Sequence, residues 1–224
     1  MAKADPDTPA GQRTLLSPGH GRLFRYAALC LVILAGNAQA GTPGPRAMLQ
    51  EMTDQVLAEI HKDPQQLQDV RQVRRLAERY VLPHVDFRAA ARWVLGKYWR
   101  TASERQREQF VTQFRTLLLN TYLRAIANYH ENAIRILPLR TPPRDGRAQV
   151  DAEVEQSAGP PARVSFRLHE VNGQWLVYDM SVDGISLVAT HRSTFAREVS
   201  EQGLDSLITR LARLNSEHQA SGSN

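Results

Sequence analysis

The hydrophobic period of this chain changes twice, and that change limits the possible folds more than any other feature. Up to about residue 126 the apolar residues recur at helical spacing. After Asn132 they alternate, and after Gly184 helical spacing returns. A period of 3.6 marks helices with one buried side, and a period of 2 marks strands with one covered face and one wet face. The spacing predicts a helix over 46–62, with Met48, Met52, Val56 and Ile60 on one stripe. Asp63-Pro64 stops it and starts another, with Asp63 as N-cap and Pro64 at the first helical position. This second helix carries Leu67, Val70, Val73, Leu76, Ala77 and Tyr80 on one side, and Pro83 ends it. A third helix starts near Asp86 and ends near Gly96. A fourth starts at Ser103, where Ser103 and Gln106 fit a capping box. Its stripe is Phe110, Phe114, Leu117, Leu118, Tyr122 and Ile126, broadened by Val111, Leu119 and Leu123. That is more apolar surface than one neighbouring helix can cover.

The alternating region predicts strands. Ile134 and Ile136 flank Arg135. Ala148, Val150, Ala152 and Val154 alternate with polar residues, as do Val164, Phe166 and Leu168. Asn172-Gly173 is a hairpin signal, and the strand after it has Leu176, Tyr178, Met180 and Val182 in one phase. Pro142-Pro143-Arg144-Asp145-Gly146 and Gly159-Pro160-Pro161 are the other turns. The expected fold is α+β, mainly helical, with a four-stranded antiparallel sheet covered on one face by helices. The closing helices have Phe195, Val199, Leu207, Ile208, Leu211 and Leu214 as apolar positions. Residues 215–224 lack periodicity and read as a loose tail.

The first forty residues read as a leader. Arg22 and Arg25 precede an apolar run from Tyr26 to Gly36, followed by the small-x-small pattern Ala38-Gln39-Ala40. This is the layout of a secretory signal peptide, and the run is too short to span a bilayer. A single domain follows, over 41–214. The only cysteine, Cys30, falls inside the leader, so the exported chain has no thiol for a disulfide or a metal site. Without Lys3, Arg13, Arg22, Arg25, Asp5 and Asp7, the 28 basic and 23 acidic residues become 24 and 21, a net charge of +3. That balance is mildly basic and compatible with an anionic lipid surface, but the linear sequence shows no polybasic run. Nucleic acid is not an expected partner in that compartment.

Two sequence blocks carry a family likeness. The first holds Leu95-Gly96, Trp99-Arg100, the Gln106…Phe110…Phe114 spacing, Leu117-Leu118 and Thr121-Tyr122. The second holds Trp175, Tyr178-Asp179, Gly184, Ser186-Leu187, Arg192, Phe195 and Gly203-Leu204. In this order the chain resembles the MlaC family over most of 46–214, with Asp183 where the family usually has Glu and His191 where it usually has Tyr. The resemblance implies a periplasmic phospholipid carrier without a cofactor, serving the ABC-type Mla system that maintains outer-membrane lipid asymmetry and toluene tolerance. It implies docking to an inner-membrane ABC-type lipid transporter complex and to an outer-membrane lipoprotein/porin complex. It also implies a lipid cavity between the long helix and the sheet. The residues assigned to it are Phe87, Val94, Phe110, Phe114, Leu117, Leu118, Tyr122, Val150, Val164, Phe166, Trp175, Tyr178, Leu187 and Phe195. Trp175 is out of phase with its strand and needs a bulge to join them.

By pattern alone these residues read as ordinary core. A cavity lined by Phe, Leu and Val also suits an acyl chain, which offers no hydrogen bonds to read. Burying about thirty methylenes at ~0.8 kcal/mol each gives about 20–25 kcal/mol, the scale a carrier must match to lift a two-chain lipid from a bilayer. For the headgroup, Arg192 is the leading candidate because it lies in the second block. Arg100, Arg124, Arg135 and Arg140 are others, and solvated surface arginines are the plain alternative. The sequence has no H-E-x-x-H, C-x-x-C, P-loop or G-x-S-x-G. His84, Asp86, His169, Glu170 and His191 are the scattered residues on which an isomerase or hydratase could be built. A ligand-free interaction module is the third reading. N-terminal sequencing of exported protein is expected to begin at Gly41; a mature chain retaining Cys30 would contradict the leader assignment.

Overall fold

The computed structural model describes residues 43–127, 134–156 and 159–221, without the side chains of 123–127, 219 and 221. The leader, and the side chains of Leu123, Arg124 and Ile126, lie outside them.

Helix α1 (Pro45–Lys62) starts with Pro45 at its first position and ends at Asp63. The Asp63 carboxylate then accepts from the Gln65 backbone N–H, starting a 3₁₀ turn over Pro64–Gln68. The single helix expected to Tyr80 is interrupted, because Asp69 caps a second start by accepting from Arg71 N–H. Helix α2 (Val70–Leu76) then loosens into a π turn over Ala77–Val81 and a 3₁₀ turn over Leu82–His84. Asp86 caps α3 (Phe87–Leu95), accepting from Ala89 N–H at 2.8 Å, and Gly96 separates it from the short α4 (Lys97–Thr101). The predicted capping box opens α5 (Glu104–Ala127). Gln106 N–H donates to Ser103 Oγ, and Ser103 N–H donates back to Gln106 Oε1.

The sheet is a meander in the order β1 (Ile134–Ile136), β2 (Arg147–Val154), β3 (Ala162–Val171), β4 (Gln174–Val182) and β5 (Ile185–Ser186), with every neighbouring pair antiparallel. It has five strands, not the four expected. The extra one is only two residues long, too short for alternation to reveal. The Asp183-Gly184 turn creates it: both residues have positive φ, the geometry a two-residue hairpin needs. Asn172-Gly173 turns in the same way, as expected.

A bulge sets the face of β4. The pairing shifts between Arg167 and Leu168, so that Phe166 lies opposite Met180 while Leu168 lies opposite Val177. The extra residue puts Trp175 and Val177 on the same face as Met180 and Val182, and moves Leu176 to the other. The single phase expected for Leu176, Tyr178, Met180 and Val182 is therefore corrected, and Trp175 gains the bulge it needed.

Apolar packing falls into separate clusters. Met48 and Leu49 of α1 pack with Ile136, Val150, Ala152, Leu168, Trp175 and Val177 of the sheet. Val94, Phe110, Phe114 and Leu95 join α6 (Leu187–Gln202) and α7 (Leu204–Ser221) through Phe195, Val199, Leu207 and Leu211. A small third cluster joins Leu67, Val73 and Ala77. The expected loose tail is also corrected, since α7 runs on to Ser221. Asn215 continues the Leu204, Leu207, Leu211 stripe with a polar side chain, which hides the helix from a hydrophobic reading. It is buried, and its Nδ2 donates to both the backbone and the side-chain oxygen of Gln113. Phe110→Ala should destabilise the fold by about 3–5 kcal/mol in urea titrations, against about 0.5 kcal/mol or less for Ile185→Ala at an exposed position. Equal losses would contradict this assignment of the core.

Candidate functional site

The two sequence blocks meet in space. Gly96 has φ +55°, and a side chain there would come within 3.2 Å of the Arg192 guanidinium. Glycine thus serves the backbone angle and the close approach together. Asp179 is buried on β4 and accepts from Ser186 Oγ, from Val188 N–H at 3.2 Å and from Arg167. Ser186 in turn accepts from Ala189 N–H and caps α6. These contacts fix the start of α6 against β4, and so position Arg192 one turn further on. Asp183, in the place of the usual Glu, accepts from Arg163 N–H at 3.0 Å and ties the β4–β5 turn to β3.

The predicted apolar residues divide between two clusters. Val94, Phe110, Phe114 and Phe195 are buried in the helical cluster, and Leu117 and Leu118 pack half-buried against it. The Phe110 and Phe114 rings stack at 5.6 Å, and Phe195 meets both edge-on. Val150 and Trp175 are buried in the sheet cluster, with Phe166 half-buried beside them; Val164 is also buried. Phe87, Tyr122, Tyr178 and Leu187 are half-buried, and burial raises the Tyr122 phenol above its ordinary range. Phe87 lies under the Arg115 guanidinium. Tyr178, the bulge residue, stacks on Trp93 and not on the apolar face. The residues with side-chain surface to spare are Leu117, Leu118 and Tyr122 on α5, and Phe166 on the sheet. Register adds Met180 and Val182 to that face beside Phe166 and Val164. Sequence phase alone placed Leu176 and Tyr178 with them, because the bulge that removes both is invisible to it.

Among the headgroup candidates, Arg135 pairs with Glu153, and Arg140 with Asp151 at 3.0 Å. Arg192 and Arg100 instead line a cleft of about 690 Å³ with Asp86, Arg88, Arg92, Trp93, Lys97, Arg147 and His169. Arg88, Arg92 and Arg147 were not singled out from sequence; Arg88 and Arg92 are one turn apart on α3 and Arg147 is on β2, so no linear run betrays them. Asp86 Oδ2 lies 3.0 Å from His169 Nε2, while Oδ1 accepts from Ala89 N–H. This carboxylate is occupied in capping α3 and orienting the ring. Among the described residues, no His, Cys, Asp and Glu grouping could hold a metal, and no helix is long and apolar enough to cross a membrane.

Helices over an antiparallel meander define an α+β domain, with half-buried apolar side chains on the long helix and on one face of the sheet. The chain matches the MlaC protein family over residues 50–213 and belongs to it. It is 28% identical over 171 residues to the intermembrane phospholipid transport system binding protein MlaC of Haemophilus influenzae, covering 75% of this chain and 80% of that protein. It is 26% identical over 188 residues to the toluene tolerance protein ttg2D of Pseudomonas putida, covering 83% and 84%. Among solved structures it resembles a phospholipid-binding protein from Ralstonia solanacearum in complex with a phospholipid. The TM-score is 0.72 at 27% identity, over 79% of this chain and 99% of that one.

His191, in the usual tyrosine position, packs its ring against Phe114 and Phe195. Burial lowers its pKa, and its buried Nε2 has no hydrogen-bond partner among the described residues. The unfolded chain therefore takes up this proton at higher pH than the folded one. Stability should be full above the ordinary histidine range and fall as pH drops through about 6.5 toward the lowered folded value. Melting curves stepped from about pH 7.5 to about pH 5 should show that loss, and His191→Phe should reduce it. An unchanged slope in the variant would assign the loss to other groups.

Proposed function

We propose that this chain is a phospholipid carrier of an Mla-type transport system, exported to the periplasm and moving lipid between the outer and inner membranes. The observation that carries the reading is the phospholipid held by the Ralstonia solanacearum protein, nearly all of whose length superposes on this chain. The chain's own geometry supports it. Leu117, Leu118 and Tyr122 on α5, with Phe166 and Met180 on the sheet, are apolar yet only half-covered. Acyl chains laid between α5 and the sheet would complete that burial, and dispersion and desolvation would hold them without a directional bond. The fully buried Phe110, Phe114 and Phe195 then serve as the rigid wall behind the cargo.

The partners proposed are an inner-membrane ABC-type lipid transporter complex and an outer-membrane lipoprotein/porin complex. Both contacts would be transient, as a shuttle requires. Protein purified without detergent should yield close to one diacyl phospholipid per chain on organic extraction and mass spectrometry. Leu118→Trp should lower that yield several-fold, because the indole occupies cargo space, while leaving the lipid-free melting temperature little changed. In a close-packed core the same change would destabilise by about 1–3 kcal/mol. Folded wild-type protein without lipid would overturn the carrier reading. A strongly destabilised but lipid-loaded variant would move the cargo away from Leu118.

A further inference from the structure

The cleft beside Arg192 gathers six cations, Arg88, Arg92, Lys97, Arg100, Arg147 and Arg192, from three separate stretches of chain: α3–α4, β2 and α6. One carboxylate lines it, Asp86, and both of its oxygens are engaged. Arg88 pairs with Glu104. Among the described residues no carboxylate pairs with the other five. The chain as a whole carries a net charge of only +5, so this concentration is not a share of a uniformly basic surface. Like charges held together without counter-charges repel, and they maintain a positive potential that an anion relieves. The guanidinium fork matches phosphate oxygens two at a time.

Two further features identify the anion. Trp93 lines the cleft and is 45% exposed, with its ring stacked on Tyr178 at 6.1 Å. An exposed indole beside a cluster of arginines is the pairing found at the level of lipid headgroups, where one end of the ring is apolar and the other wet. Sheet register supplies the second feature. Arg147 lies opposite His169, one residue out of step with Ala148 opposite Leu168. The cleft is therefore entered from the face of the sheet opposite Val150, Phe166 and Met180, where the proposed cargo chains lie.

We propose that this cleft binds the phosphate of an anionic phospholipid headgroup presented by a bilayer, and so docks the carrier on a membrane surface. The volume of about 690 Å³ admits a glycerophosphoryl group, which is far smaller. The proposal rests on the carrier reading only in that a carrier must meet a bilayer.

Flotation with phosphatidylcholine vesicles, with and without phosphatidylglycerol, at low salt tests it. The full exported chain should float only with phosphatidylglycerol present. The triple variant Arg92→Gln, Arg147→Gln, Arg192→Gln should bind roughly 100-fold more weakly, given the free energy typical of each basic residue near an anionic surface. A control triple with the same loss of charge, Arg71→Gln, Arg75→Gln, Arg213→Gln, should float like wild type. Circular dichroism checks that both are folded, and the single change Arg92→Gln, at an exposed position, should still weaken binding several-fold if the triple is not. Equal binding to the two vesicle types, or equal losses in both triples, would overturn the site. So would inorganic phosphate failing to compete at millimolar concentration. Lipid extracted from the same preparations reports on cargo separately, so loss of docking with cargo retained separates this proposal from the carrier reading.

Discussion

The contact among Phe110, Phe114 and Phe195 is the constraint on which the rest of the structure depends. Two rings stacked along α5 meet a third from α6 edge-on, a geometry that adds about 0.5–1.5 kcal/mol per pair beyond the area buried. Leu207 and Leu211 of α7 close the same cluster with no exposed surface. Once α5, α6 and α7 are locked together, the direction in which Leu117, Leu118 and Tyr122 leave the core is set. A polar chain reinforces the lock: Arg74 donates to Asn120, Asn120 donates to Asn215, and Asn215 donates to Gln113. It ties α2, α5 and α7 together without adding apolar surface.

The second fixed point is the Asp179 carboxylate. It is buried on β4, and its partners are the cap and first turn of α6. Breaking a buried, multiply bonded carboxylate is costly, so the start of α6 cannot drift from the sheet. Sheet, helical core and the Gly96–Arg192 contact are thereby held in one frame. The two sequence blocks that carry the family likeness are the two sides of this joint, and much of their content is architectural: a cap, a left-handed glycine and a carboxylate that bonds across elements.

What the sequence made legible follows from local rules. The Ser103–Gln106 box, the Asn172-Gly173 turn and the period change each depend on residues within a few positions of one another, and each is present. The misses depend on long-range arrangement. The bulge at Tyr178 is a property of two paired strands, and it reversed the face of Leu176. Strand β5 has two residues and no room for a pattern. Asn215 satisfies its amide inside the core, so α7 looked finished about two turns early. The cationic cleft is assembled from residues as far apart as Arg92, Arg147 and Arg192. The apolar set predicted as one lining contained both solid core and half-covered surface, because hydrophobic pattern reports burial without saying whether protein or ligand supplies it.

The central claim is that acyl chains complete the burial of the faces presented by α5 and the sheet. A phospholipid carrying a photoactivatable diazirine near the end of one acyl chain tests it most directly. After loading, irradiation and proteolysis, mass spectrometry should find the lipid attached to peptides containing Leu117, Leu118 or Tyr122 and to peptides containing Phe166 or Met180. Labelling confined to the exposed surface, or to α1 and α2 alone, would contradict the account.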